Sequence, residues 1–381
     1  MKQFTIILFT LLAWVIEARA DVEISEANFP DASFRAVLAD LPEGKDGVLT
    51  DGEIAGLQRL VLTDGRSENI KSLKGIEHLT ALGYLEMFFA NIKELDLTQN
   101  KALGVLRLGL ASLDRLDLSD LTDLVYLHLE VVMGIKELDL SGCTALEYLY
   151  CKTSDFERLN IQDCKELKEL WCYECKLKKL ELSSFPHLKK LYCGYNDLTK
   201  LDLSVVPELE ELDCGGNPLG SLDVSKNTVL RGLWCPDNSL TSLDLSANKQ
   251  LCLLNCSHND IGSESMTALL TSLPQADSGG QLYLRNMEYG EEHNNCSEEQ
   301  EQIAVSKNWT ILLQLPSVVG GHPLNYLLDI DTPLASQPQP DNNFYTLDGR
   351  RIPTIHSLSS MKDALPQKGI YIHNGRKVVI K

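Results

Sequence analysis

From Leu82 onward the apolar positions follow one pattern, Leu-x-x-Leu-x-(Cys/Leu/Met)-x-x-(Asn)-x-Leu-x-x-Leu-x-Leu, nine times in succession. The phase residues Leu146, Leu167, Leu188, Leu209, Leu230 and Leu251 stand 21 apart. Leu82, Leu103 and Leu124 precede them, with one residue inserted near Val132. A fixed period of this length predicts one short strand and a loose return in each unit. No unit can bury its apolar face alone, so neighbours must stack into one continuous core.

The expected fold class is therefore an α/β solenoid, a curved leucine-rich-repeat horseshoe spanning 81–262. Both open ends of such a core need covering. Over 21–80, Asp31 starts a short helix through Phe34 and Leu38, predicting a helical N-terminal cap. Asp46-Gly47 and Glu53 fall where the second half of an EF-hand loop would place them, but Pro42 and Gly44 occupy its first two ligand positions. Thr50 and Glu53 also form a capping box for a following helix, and that reading is favoured over calcium. Past Ile261 the period stops. Helices over 265–273 and 297–307 and strands over 281–284 and 309–313 predict an α/β C-terminal cap within 263–318. A Pro-containing linker follows at 319–343, and then a small β module at 344–381 whose Asp348-Gly349 and Asn374-Gly375 are hairpin signals.

Three columns recur within the repeats. Cys151, Cys172, Cys193, Cys214, Cys235 and Cys256 fall on the inward side of each strand, where Met87, Leu108 and Leu129 stand earlier. Interchange with Leu and Met marks these cysteines as small buried hydrophobes. Parallel side chains on adjacent rungs also oppose disulfide geometry, so reduced thiols are expected. Cys172 and Cys175 resemble a redox Cys-x-x-Cys, but Cys175 holds the slot of Asn196, Asn217, Asn238 and Asn259. That Asn column reads as a turn ladder whose amides satisfy backbone groups. Asp96, Asp117, Asp139, Asp202, Asp223 and Asp244 form an outward column, read as a solvated face and not as cation ligands.

The positions between inward residues face the concave sheet. One column holds Tyr150, Trp171, Tyr192 and Trp234, and beside it run Tyr84, Tyr126 and Tyr148. Phe88, Phe89, Tyr173 and Tyr195 lie in the next two columns. Aromatic residues have high β propensity, yet the return segments carry almost none of them. Exposed rings mark recognition sites, so Tyr126, Tyr148, Tyr150, Trp171, Tyr173, Tyr192, Tyr195 and Trp234 are the candidate ligand-binding residues. Glu169, Lys190, Glu211, Asp213 and Arg107 add a mixed polar surround.

Residues 1–20 read as a secretory signal peptide, with Lys2, an apolar run from Phe4 to Ile16, and Ala18-Arg19-Ala20 at the cleavage site. No later stretch is long enough to span a bilayer. A formal net charge of −19 argues against a nucleic-acid partner. The eight His residues show no His-Glu-x-x-His spacing, and neither a phosphate loop nor a Gly-x-Ser-x-Gly elbow is present. No enzyme activity, cofactor or metal is expected.

The strand Cys with an Asn after it, as in Leu188-Lys-Lys-Leu-Tyr-Cys-Gly-Tyr-Asn-Asp-Leu, resembles internalin-type surface proteins that carry a cysteine ladder. Phe29-Pro30-Asp31, Phe34-Arg35, Asp46-Gly47-Val48-Leu49-Thr50 and Glu53-Ile54 look like the helical N-cap of that group in gut and oral anaerobes. Phe344 to Ile352, Lys368 to Ile372 and Lys377 to Lys381 are similar to type IX secretion sorting domains. The first three repeats depart from the pattern, with no Cys rungs and Ala90 or Ala111 in the Asn slot. The resemblance implies a secreted protein, or one on the outer surface of a Gram-negative bacterium, used in adhesion or host contact. The expected partner is a protein, host or bacterial, or a glycan, bound by a monomer; a purely structural surface component is the remaining alternative.

Overall fold

The computed structural model describes residues 21–312 apart from 64–66, 90–91, 183–184 and 286–291, together with the tail strands 344–346, 351–352, 369–373 and 376–380. Residues 1–20, read as a signal peptide, 319–343, read as a linker, and the hairpin signals Asp348-Gly349 and Asn374-Gly375 lie outside the described residues.

The repeats stack as one parallel sheet of 12 strands in sequence order, from Arg59–Leu62 to Trp309–Ile311. Register is set by the inward leucines. Leu170 pairs with Leu191, Leu191 with Leu212, Leu212 with Leu233, and Leu233 with Leu254, so each leucine sits on the one before. All five are fully buried, and burying such a side chain contributes roughly 1.5–3 kcal/mol. The cysteine column runs beside them, from Met87 through Leu108 and Leu129 to Cys151 and on to Cys256, with no more than 1% exposure at any of these positions.

Side chains satisfy the backbone where each turn leaves the sheet. Asn217 Nδ2 donates to the carbonyls of Cys193 (3.0 Å) and Cys214 (2.9 Å), while its Oδ1 accepts from the Leu198 amide at 3.0 Å. Asn196 and Asn259 repeat both roles, and Asn238 donates to the Cys214 carbonyl in the same way. Cys175 fills the slot with its thiol 3.0 Å from the Cys151 carbonyl, which accounts for the Cys-x-x-Cys as a ladder position. A second such column, not foreseen from the sequence, lies on the return. Asn100, Asn227 and Asn248 each donate to two carbonyls of the preceding turn, and Cys143 and Cys164 occupy the equivalent place. The outward aspartates are turn formers. Asp96, Asp117, Asp139, Asp202, Asp223 and Asp244 each accept the amide two residues on, at Thr98, Ser119, Ser141, Ser204, Ser225 and Ser246.

The inserted residue near Val132 is absorbed at Gly134, whose φ is +96°. A Cβ there would lie 2.3 Å from the Leu113 carbonyl oxygen, so only glycine fits.

At the N-terminal end, the helix Ala32–Asp40 is capped by Asp31 and contributes Phe34 and Leu38 to the common core. Thr50 and Glu53 form a reciprocal capping box on the helix Asp51–Gly56. The Glu53 carboxylate accepts from the Thr50 amide (2.9 Å) and hydroxyl (2.7 Å), which gives that EF-hand-like segment a helix-start role. At the other end, the helices Ser263–Ser272 and Glu298–Ser306 replace irregular returns, with bounds one or two residues from those expected. The strands Gly280–Tyr283 and Trp309–Ile311 do not lie across the end of the sheet; they extend it in parallel. Asn294 continues the Asn column there, donating to the Cys256 carbonyl at 2.8 Å. The tail strands form a separate four-stranded antiparallel sheet.

Substituting Gly134→Ala should destabilise the protein by roughly 1–3 kcal/mol, because the strain at positive φ adds to the carbonyl clash; a thermal melt checks this, and an unchanged midpoint refutes it. All eleven cysteines are unpaired, nine of them buried. Burial pushes the Cys143 thiol up to about 11 and Cys164 to about 12. Thiol titration of native protein should thus find at most the two half-buried groups, Cys252 and Cys296, and all eleven after denaturation without reductant. Recovery of disulfides under those conditions contradicts the ladder.

Candidate functional site

On the sheet face opposite the core, the one expected to be concave, parallel pairing brings the candidate side chains into line. Tyr148 stands beside Tyr126 and Glu169, and Tyr150 beside His128 and Trp171. Trp171 stands beside Tyr192. The ring centroids of His128 and Tyr150 are 5.8 Å apart, those of Tyr150 and Trp171 5.4 Å, and those of Trp171 and Tyr192 4.1 Å. Tyr126 lies 5.3 Å from Tyr150 and 6.3 Å from Tyr148. Asp213 then interrupts the ring column, which resumes at Trp234; Asn255 interrupts it again, and the Tyr283 ring beyond lies 6.5 Å from that of Trp234. Sequence reasoning had placed Tyr283 in a capping strand and missed it. The Leu-x-Leu spacing shared by Leu282-Tyr283-Leu284 was the available signal.

Exposure divides this face in a way the sequence did not suggest. Tyr84, Tyr126, His128, Tyr148 and Tyr150 are half-buried. Trp171 is only 9% exposed, Trp234 2% and Tyr192 0%. The expectation that the whole stripe is solvent-facing is therefore corrected from Trp171 onward. Flat rings on rungs ~4.8 Å apart cover one another, and the neighbouring column closes over them. Trp171, Tyr192, Trp234, Leu253 and Tyr283 make a second apolar cluster against which Tyr150 packs.

That closing column is charged. Glu169 accepts from the Tyr150 hydroxyl at 2.9 Å and from the Trp171 indole at 3.4 Å. Lys190 Nζ sits between Glu169 (3.6 Å) and Glu211 (3.9 Å), and Tyr192 donates its hydroxyl to Glu211. Burial is the first cause that raises the Glu211 carboxyl above its ordinary value, opposed by the Tyr192 hydrogen bond and Lys190. Burial likewise pushes the Tyr126 phenol up to about 12 and raises Tyr150 and Tyr192 further. The open half carries paired charges instead, with Arg107 3.4 Å from Glu86, and Glu130 3.5 Å from both His128 and Lys152. Arg59 lies over the Tyr84 ring at 3.8 Å.

At the edge of the face, one residue per turn takes a left-handed conformation, including Phe89, Leu110, Val131, Thr153, Glu174, Tyr195, Asp237 and His258. Its amide donates to the next turn, as Tyr195 does to the Gly215 carbonyl at 2.7 Å. Tyr173 and Tyr195 meet here, with centroids 5.1 Å apart, and the Tyr195 ring is 51% exposed. Among the described residues no three His, Cys, Asp or Glu side chains converge as metal ligands, and no helix is long and apolar enough to cross a membrane.

Rungs every 21 residues, with inward leucine and cysteine columns and an asparagine turn ladder, define a leucine-rich-repeat solenoid. No protein-family model and no curated protein matches the sequence. Among solved structures it is similar to the functional domain of InlJ from Listeria monocytogenes, which includes a cysteine ladder, at 26% identity over 71% of this chain and 69% of that one, TM-score 0.40. It is also similar to an internalin, inlF, of the same species at 21% identity over 77% and 97%, TM-score 0.43. A third is the plant peptide hormone receptor RGFR1 in complex with RGF2, at 20% identity over 65% and 48%, TM-score 0.45.

Two predictions follow from the burial pattern. Tyr192→Ala should cost ~3–5 kcal/mol, as for a core aromatic, whereas Tyr126→Ala should leave the melting midpoint within a few degrees of the parent; equal midpoints for the two would refute the division. Glu211 has a raised carboxyl, so its contribution to stability is present at low pH and is lost as pH rises through the folded-state value. Glu211→Gln, which keeps an acceptor for Tyr192, should match the parent in acid and gain on it towards neutral pH. A gain that appears instead on acidification reverses the sign and rejects the assignment.

Proposed function

We propose that this chain is a secreted or surface-attached leucine-rich-repeat binding protein that takes a protein partner on its concave face, in adhesion or host contact. One observation carries the reading. Tyr126, Tyr148, Tyr150 and His128 form a continuous platform of half-exposed rings, with Arg107, Glu130 and Lys152 beside it. Rigid rings on a fixed sheet give large contact area with little ordering cost. Trp171, Tyr192 and Trp234 belong to the same site as its buried support, and Tyr173 and Tyr195 as its edge. A glycan lying flat on the tyrosines is the second reading, favoured by ring faces flanked with carboxylates. Export through residues 1–20, a sorting role for 344–381 and the division into caps at 21–80 and 263–318 belong to the same proposal.

Binding of the labelled exported chain to intact cells tests it, with the cell surface stripped beforehand by protease or by glycosidase. Tyr126→Ala with Tyr150→Ala should weaken binding by ~1–3 kcal/mol, while Asp223→Ala on the convex side should not change it. Loss of binding after protease treatment supports a protein partner, and loss only after glycosidase supports the glycan. If the platform pair and the convex variant both bind like the parent, the concave reading fails.

A further inference from the structure

The edge of the concave face has a chemistry of its own. Tyr173 lies over Gly194, where an added Cβ would be 3.2 Å from its ring, and Tyr195 lies over Gly216, at 3.0 Å. The two rings are thus seated on bare backbone, one half-buried and the other the most exposed large apolar side chain among the described residues. Carboxylates surround them. Glu174 precedes Tyr195 by one turn in the same column, and Asp237 follows it by two. Among the described residues no lysine or arginine pairs with either; Glu174 accepts only the Thr153 hydroxyl at 3.0 Å, and the nearest positive influence on Asp237 is His258. The Tyr195 phenol is raised first by burial and then by the charges of Asp237 and Asp213. Negative potential therefore converges on a π face.

One further group points to a ligand. His258 is the next residue of that column, its side chain is only 8% exposed, and its Nε2 is buried without a hydrogen-bond partner. Glu292 lies 3.9 Å from its Nδ1. His258 lies three turns beyond Tyr195, roughly 14 Å along the column at ~4.8 Å per turn, so a second side chain of the same partner would have to reach it.

We propose that this edge, Tyr173 and Tyr195 with Glu174, Asp237 and His258, docks an arginine-bearing segment of a protein partner. A guanidinium stacks on a tyrosine face and donates in several directions at once, which suits a ring bordered by carboxylates better than an ammonium does. The acid border adds salt-sensitive steering. The inference deepens the concave-face reading and rests on it for the existence of a protein partner.

The probe is a fluorescent glycine-serine peptide carrying two arginines, against the same peptide with glutamines in their place, measured by anisotropy on the full exported chain. The arginine peptide should bind and the glutamine peptide should not. Tyr195→Ala should weaken binding about fivefold, and Tyr195→Phe should restore it. Glu174→Gln with Asp237→Asn should weaken it about tenfold at low salt, with the difference shrinking at high salt. The charge-matched convex pair Asp202→Asn with Asp223→Asn should leave binding within about twofold. Equal weakening by the convex pair, indifference to Tyr195→Ala, or no binding of the arginine peptide would each overturn the proposal. The platform pair Tyr126→Ala with Tyr150→Ala separates the two readings. Cell binding lost with peptide binding intact keeps both, and platform-independent cell binding with the peptide still held at Tyr195 rejects the platform alone.

Discussion

Backbone satisfaction between turns is the constraint on which this molecule depends. A solenoid turn leaves its sheet through a segment that is buried yet not hydrogen-bonded as strand, and each amide or carbonyl stranded there costs about 1–3 kcal/mol. The chain meets that cost with side chains of fixed period. Asn196, Asn217, Asn238 and Asn259 donate to a carbonyl 24 residues back, and the Oδ1 of all but Asn238 accepts an amide 19 residues back. On the return, Asn100, Asn227 and Asn248 likewise donate to a carbonyl 24 residues back. The leucines supply the apolar driving force, but these amides hold the turns at one spacing, and the concave columns inherit their alignment from it.

That alignment explains the change in character along the concave face. Where the column beside the rings is Tyr84, Val105, Tyr126 and Tyr148, aromatic surface stays half-open to water. Where it becomes Glu169, Lys190 and Glu211, the charged groups bond to the tyrosine and tryptophan edges and close over them. One sheet thus presents a half-open surface of rings at one end and an internal spine at the other.

The fold was largely legible because a strict 21-residue period writes core, register and columns at once. Columns were placed correctly down to individual residues such as Trp171 and Tyr192. Their exposure was not legible, since it depends on how Lys190 and Glu211 lean across neighbouring rungs, and no single repeat contains that information. The second asparagine column escaped notice because Leu121, Cys143, Cys164, Phe185 and Val206 interrupt it between Asn100 and Asn227. The parallel continuation of the sheet into Gly280–Tyr283 was hidden by a change of spacing once helices replace loops. The left-handed residue of each turn was equally silent, because Phe89, Leu110, Val131 and Tyr195 are not side chains that announce such a conformation.

The turn ladder is not uniform. Its slot is occupied by Ala111, Val132, Ser154 and Cys175 before asparagine takes over at Asn196. Coupling between adjacent units sets the local opening free energy of a repeat array. In the early turns the sheet itself runs through that slot, Ala111 pairing with Val132 and Ser112 with Met133, whereas the late rungs pair over three residues and lean on the asparagines. The half-open tyrosines thus stand on turns tied mainly by backbone, and the buried spine on turns tied by side-chain amides. The same spacing is thus kept by two different devices, and loss of one asparagine would be felt by the spine before it was felt by the tyrosines.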